Sequence, residues 1–217
     1  MKYSDFKKKV LNWPVIFSRD VVSPGKIGQA VRNQLERWRK SGRVIRLKRG
    51  VFVLADDDRR VSLSRPYLAN QLYGPSYVSL EYALGYYGLI PERVSDVTSV
   101  TSRKTMRLSN AAGTFIYQHV KPKAYRGFGM AEGESGLKFF IAEPEKAIVD
   151  FIYLNLDKFA YNDPGVFEES YRFHNTERLD MKKLRRFADV FGNKKLSRIA
   201  SLFSERFSRG KRKGRAS

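Results

Sequence analysis

The chain contains no cysteine. Disulfide staples and thiolate metal sites are therefore excluded, and the fold must be held by apolar burial and hydrogen bonds. Histidine is scarce as well, with two in 217 residues. No run of about 18 apolar residues occurs, which excludes an ordinary membrane-spanning helix. Residues 1–11 are lysine-rich and lack the apolar stretch of a signal peptide, so the expectation is a cytoplasmic protein that stays out of the membrane. A G-x-x-x-x-G-K-[ST] loop is missing, and Gly127-Phe128-Gly129-Met130 is not followed by a helix with G-x-x-G spacing. Loops that cradle nucleotide phosphates are thus absent, and no cofactor is expected. Acidic residues are the minority charge: 22 Asp and Glu stand against 42 Lys and Arg, for a formal net charge of +20. Such a surplus goes beyond what solubility needs and points to a polyanion, with nucleic acid ahead of an anionic membrane.

What is present can build real cores, since 42% of the residues are hydrophobic and 13% aromatic. The length allows one large domain or two small ones. The positive charge is unevenly placed. Residues 1–60 carry 16 Lys or Arg against 6 Asp or Glu, whereas residues 142–200 carry 11 against 10. The polyanion contact is expected at the two ends of the chain, the last 17 residues being basic again.

The densest information lies in residues 23–54. At 100° per residue, Ile27, Ala30, Val31, Leu35 and Trp38, together with Gln34, fall on one side of a helix over 25–40. The opposite side collects Lys26, Gln29, Arg32, Asn33, Glu36, Arg39 and Lys40, most of them long donors able to reach phosphates and base edges. Ser23-Pro24 supplies a hydroxyl cap and an early proline, and Ser41-Gly42 supplies a stop. Val44, Leu47, Val51 and Val53 then mark two short strands joined by Leu47-Lys48-Arg49-Gly50, with Arg43, Arg46, Lys48 and Arg49 along the hairpin. A basic helix followed by a basic hairpin is the sequence pattern of a winged helix-turn-helix. A first helix over 3–11 and a very short helix after Ser18, within 17–22, complete that order.

Asp56-Asp57-Asp58-Arg59-Arg60 reads as a charged connector, which places a domain boundary near residue 62. The expected division is a winged domain over 1–61, a larger α+β domain over 62–207 and a disordered basic tail over 208–217. Helices are predicted over 65–72 and 79–87, strands over 97–101, 114–120 and 137–141, then helices over 144–156, 181–191 and 196–207. The strands are expected to form an antiparallel sheet, separated by loops that include a Gly-rich stretch over 127–136. The fold class is therefore α+β.

The catalytic inventory is thin. His119 and His174 lack partners at the close spacing that zinc or acid–base chemistry requires. Glu143, Glu145 and Asp150 cluster at the start of one helix, where carboxylates could bind Mg²⁺ but more ordinarily offset the exposed N–H groups. We assign no catalytic residue and no metal site, and expect a protein that is not an enzyme. Arg103, Lys104 and Arg107 follow a strand closely and suit phosphate, RNA or an acidic protein surface.

Four segments match a known pattern in order: Arg46-Leu47-Lys48-Arg49-Gly50-Val51-Phe52; residues 77–92, YVSLEYALGYYGLIPE; 101–107 with Gly113-Thr114-Phe115-Ile116-Tyr117; and Ala142-Glu143-Pro144-Glu145-Lys146-Ala147. In these the sequence resembles the AbiEi family of abortive-infection antitoxins and transcriptional regulators. The resemblance covers about 15–156, and residues 13–28 follow the family only loosely. It implies a bacterial two-domain protein whose winged domain binds inverted repeats in its own promoter, as a monomer or as a dimer formed on DNA. It also implies a second domain that counteracts a nucleotidyltransferase-like toxin of the AbiEii type, with or without direct contact.

On the residues themselves, Lys26, Gln29, Arg32 and Asn33 are expected at base edges, Gln29 and Asn33 pairing with adenine and Arg32 with guanine. Lys48 and Arg49 are expected to grip phosphate or the minor groove, with Arg37, Lys40 and Arg46 on the backbone. The alternatives are an orphan DNA-binding regulator, or an RNA-binding or nucleic-acid-processing protein.

Overall fold

The structure is a computed structural model that describes residues 1–21, 28–133, 136–160, 163 and 165–213, with side chains as far as Ser208. It is an α+β molecule with two sheets, one of three strands and one of six. Helix α1 (Tyr3–Val10) buries Phe6 and Val10 completely, one turn apart on its inner face. A two-residue strand β1 (Ile16–Phe17) follows, and then helix α2 (Gly28–Lys40). Strands β2 (Val44–Lys48) and β3 (Val51–Leu54) form an antiparallel hairpin, and β1 adds to β3 through Ile16↔Phe52 and Phe17↔Val51. The sheet order is β1-β3-β2, antiparallel throughout. Gly50 sits at φ 78°, the left-handed geometry the tight turn demands.

Two local expectations change here. The segment predicted as a very short helix after Ser18 contains turns instead, as far as Val21: the Ser18 amide bonds to the Gly50 carbonyl at 2.9 Å and the Asp20 amide to Phe17 at 3.0 Å. The backbone at Phe17 and Ser18 is claimed by the hairpin, which outweighs the local cap. The predicted helix start, with Ser23, Pro24, Lys26 and Ile27, lies outside the described residues. Within α2, Leu35 and Trp38 are buried and Val31 is half-buried, but Ala30 is exposed rather than part of the core stripe. The helix rests on Trp38, whose ring lies 4.5 Å from that of Phe6.

Strand β3 is buried on both faces. Phe52 and Leu54 pack with Phe6, Val10, Ile16, Leu35, Trp38 and Val44, while Val51 and Val53, pointing the other way, join Val15 and Leu47 in the larger core of the rest of the chain. The period-2 alternation thus fastens the hairpin to its neighbour rather than leaving one face to water.

Beyond the connector, Ser64 caps α3 (Arg65–Leu72). Strand β4 (Ser76–Val78), helix α4 (Leu80–Tyr86) and strands β5 (Val97–Thr101), β6 (Met106–Asn110), β7 (Gly113–His119), β8 (Phe128–Glu132) and β9 (Lys138–Ala142) follow. The chain closes with α5 (Pro144–Leu154), α6 (Val166–Glu169), α7 (Met181–Val190) and α8 (Lys194–Lys213). The α8 helix runs past Phe207 as far as Lys213, whereas the basic sequence from Ser208 predicted a disordered tail.

The six-stranded sheet has the order β6-β7-β5-β4-β9-β8 and is mixed, not antiparallel as expected. Its β5/β7 and β4/β9 neighbours run parallel, and the other three pairs antiparallel. The cause is β6, which turns back on β7 and occupies the edge, leaving β7 to meet β5 in the same direction. Helix α3 lies on one face, where the Tyr117 hydroxyl donates to the Ala69 carbonyl at 2.8 Å. Helix α5 covers the other, reached by Tyr77 of β4.

Candidate nucleic-acid interface

The exposed side of α2 carries Gln29, Arg32, Asn33, Arg37 and Lys40. They stand outward because Leu35 and Trp38 are drawn into the core on the other side. The Gln29 side-chain amide donates to Asn33 Oδ1 at 2.9 Å, one turn away, and Arg32 Nε donates to the Gly28 carbonyl at 3.3 Å. Both contacts are exposed and local, so a stronger partner can replace them.

Between this helix and the hairpin lies a groove of about 600 Å³ lined by Gln29, Arg32, Asn33, Arg46 and Arg49, with Ser18, Arg19, Glu36, Gly50 and Phe52. Helix and hairpin, separated by only three residues in the chain, thus place five of the predicted contact residues on one concavity. Arg37 and Lys40 share the helix but do not line the groove. Glu36 is the acid in this setting: Arg39 bonds to it at 2.5 Å and Arg46 approaches at 3.8 Å. The hydrogen bond from Arg39 holds the Glu36 carboxyl below its ordinary range, and the acid restrains Arg46 while leaving Arg32 and Arg49 open.

Lys48 is placed differently from the expectation. Its ammonium donates to the Leu72 carbonyl at the end of α3, and burial, followed by the nearby Arg103 and Arg19 charges, pulls its pKa down. It is therefore a half-buried tie between the hairpin and α3, at the wall of the groove past the hairpin tip, and not the fully exposed cation expected. Asn110 of β6 adds a second tie, donating to the Leu47 carbonyl at 3.1 Å.

A second groove of about 480 Å³ continues past the hairpin tip, sharing Ser18, Arg19, Arg49 and Gly50 with the first and ending at Asn70, Gln71 and Arg103. Arg103 is fixed there by a bond to the Gly74 carbonyl at 3.0 Å and by its position 4.5 Å from the Tyr73 ring centre. The three cations Arg103, Lys104 and Arg107 do not act as one patch. Lys104 and Arg107 are exposed but line neither groove, and Arg107 faces Asp96 at 3.4 Å. Arg19 went unnoticed in the sequence because it lies in the segment predicted as a short helix. Its signal was a cation two residues after the apolar pair Ile16-Phe17, where a strand would hand it to the hairpin surface.

The acids at the start of α5 are engaged internally. Asp150 is fully buried and accepts from Tyr77 and Ser79 hydroxyls, each at 2.9 Å, and from the Lys146 ammonium, itself 1% exposed. Burial pushes the Asp150 carboxyl up and the Lys146 ammonium down, and their mutual attraction opposes both shifts. Glu143 pairs with Lys183, and Glu145 accepts the Asp180 amide at 2.9 Å. His119 and His174 are exposed, each with Nδ1 against a backbone carbonyl. Among the described residues no three His, Cys, Asp or Glu side chains are grouped to hold a metal ion, and no helix is long and apolar enough to cross a membrane.

No family model matches the chain, and no curated protein matches it.

Proposed function

We propose that the protein is a DNA-binding transcriptional regulator whose first unit is a winged helix. What carries the reading is the groove in which Gln29, Arg32 and Asn33 of α2 face Arg46 and Arg49 of the hairpin. The element order α1-β1-α2-β2-β3 and the sheet order β1-β3-β2 support it. The helix that would precede α2 across a turn would fall within residues 18–27; Ser18 to Val21 form turns and 22–27 lie outside the described residues.

In this mechanism α2 enters the major groove. Gln29 and Asn33 exchange their mutual hydrogen bond for bidentate contacts to adenine, and Arg32 pairs with guanine O6 and N7. Arg49 and Arg19 hold phosphates beside the helix, while Arg37 and Lys40 extend along the backbone and Arg46 contributes once Glu36 yields it. Arg103 offers one more cation where the second groove reaches the second unit. Each of these cations that neutralises a phosphate releases counterions, making affinity steeply salt-dependent.

The resemblance to AbiEi antitoxins gives the regulator its target, inverted repeats upstream of its own gene, and gives the second unit a role against a nucleotidyltransferase-like toxin. Footprinting of that upstream DNA by the intact chain, paired with a promoter-reporter assay, tests the first part. Two protected half-sites and reporter repression are expected, and an unprotected, unrepressed promoter contradicts it. Co-expression with the product of an adjacent nucleotidyltransferase-like gene tests the second, with restored growth expected. Continued growth arrest would leave the orphan regulator as the correct reading.

A further inference from the structure

A third cavity lies away from both basic grooves. It is a half-open depression of about 610 Å³ between the connector, the start of α3, α4 and the β8–β9 turn, and Ser62, Ser64, Arg65, Tyr82, Tyr86 and Phe139 are among its walls. That volume is in the range of small-molecule sites, which run from about 300 to 1,000 Å³.

The wall chemistry is specific. Arg65 Nε is shielded from solvent yet makes no hydrogen bond, and among the described residues no carboxylate lies within ion-pair distance of its guanidinium. The group lies close to the backbone at Gly113, where a Cβ would stand 2.5 Å from Arg65 Nη2. Tyr82 is its neighbour; burial pushes that phenol up and the Arg65 charge pulls it partly back. Tyr86 is 48% exposed and stands edge-on to Phe139 with ring centres 6.0 Å apart. Beside them the Ser62 and Ser64 side chains add hydroxyl groups.

A guanidinium without an ion-pair partner, in a cavity that also has aromatic walls, is complementary to a flat ring carrying a negative group. We infer that this cavity binds a small organic anion with a planar ring, its phosphate or carboxylate on Arg65 and its ring against Tyr86. This site is independent of the DNA groove, with which it shares no residue.

Calorimetric titration of the intact chain with AMP and with 4-hydroxybenzoate tests it, at about 0.2 M salt to suppress diffuse binding to the basic surface. One saturating site is expected for at least one of the two, and the tighter probe tells a phosphate source from a carboxylate source. Adenosine, lacking the anion, and inorganic phosphate, lacking the ring, are expected to bind at least about tenfold more weakly than the ring-bearing anion. Arg65→Gln and Tyr86→Ala should each weaken binding about tenfold or more, and Arg49→Gln should leave it unchanged. If Arg65→Gln fails to fold, Tyr86→Ala decides. The proposal is overturned if neither probe saturates by about 1 mM, if Tyr86→Ala binds like the parent, or if Arg49→Gln accounts for the loss.

Discussion

The groove under α2 and the cluster inside α5 both gather charged side chains, and they use them oppositely. In the groove, Arg32 and Arg49 face water with only exposed or backbone contacts. In the cluster, Lys146 and Asp150 are almost wholly buried and saturate one another together with Tyr77 and Ser79. Charge that satisfies itself within the fold has nothing left for a ligand, whereas charge kept exposed on a rigid concave surface is available to a polyanion. Residue type alone does not separate the two; the supply of internal partners does.

The comparison is broken most forcefully at Asp150. Replacing it by Ala leaves the Lys146 ammonium buried without its counter-ion, and a loss of about 3–5 kcal/mol is expected in urea unfolding. An unchanged midpoint would mean that the pair is not the closed structural unit its burial indicates. Arg32→Ala acts on the other side: stability should hold, while discrimination at one guanine of the site falls by roughly 1–3 kcal/mol. Equal loss on all sequences would move Arg32 from base edge to backbone.

Lys48 and Arg49, adjacent in the chain, divide between the two modes. Lys48→Ala is expected to cost roughly 1 kcal/mol of stability through the abandoned Leu72 carbonyl, with the salt dependence of DNA binding intact. Arg49→Ala should lower the salt slope by about 0.9 and leave unfolding alone. The opposite pattern would return Lys48 to the phosphates.

The smallest effect belongs to Asp58, which ties the connector back to α1. Hydrogen bonds from Lys7 and then Tyr3 hold its carboxyl below the usual range. A depressed folded-state pKa stabilises the fold above the unfolded value of about 3.9, and that contribution disappears as pH falls through the folded-state value. Asp58→Asn should therefore cost at most about 1 kcal/mol at neutral pH. The gap between variant and parent should close in acid, and a gap that persisted there would assign the loss to packing.

Much of this was legible from periodicity. The apolar spacing of Leu35 and Trp38 oriented α2, and β5, β7 and β9 fall close to where alternation put them. The sheet direction was not legible, because it depends on β6 and β8: Met106–Asn110 is mostly exposed and polar, and Phe128–Glu132 contains a glycine and sits in a Gly-rich stretch. The bond of Lys48 to Leu72 was not legible because that partner is 24 residues away and contributes only a carbonyl. Likewise, nothing local to Val51 and Val53 announces that their face is covered by the larger core of the rest of the chain. Contacts made by backbone atoms of distant elements leave no trace in side-chain pattern, and they set the division of labour within the hairpin.

The central claim is that the concavity between α2 and the hairpin reads DNA. It is tested most directly by the ratio of affinities for footprinted upstream DNA and for scrambled DNA of equal length, measured by anisotropy at fixed salt for the parent, Arg32→Ala and Arg107→Ala. The account predicts a ratio that falls by about tenfold or more in Arg32→Ala and is unchanged in Arg107→Ala, which lines neither groove. A ratio insensitive to Arg32 but lowered by Arg107→Ala would contradict it and place recognition on the six-stranded sheet.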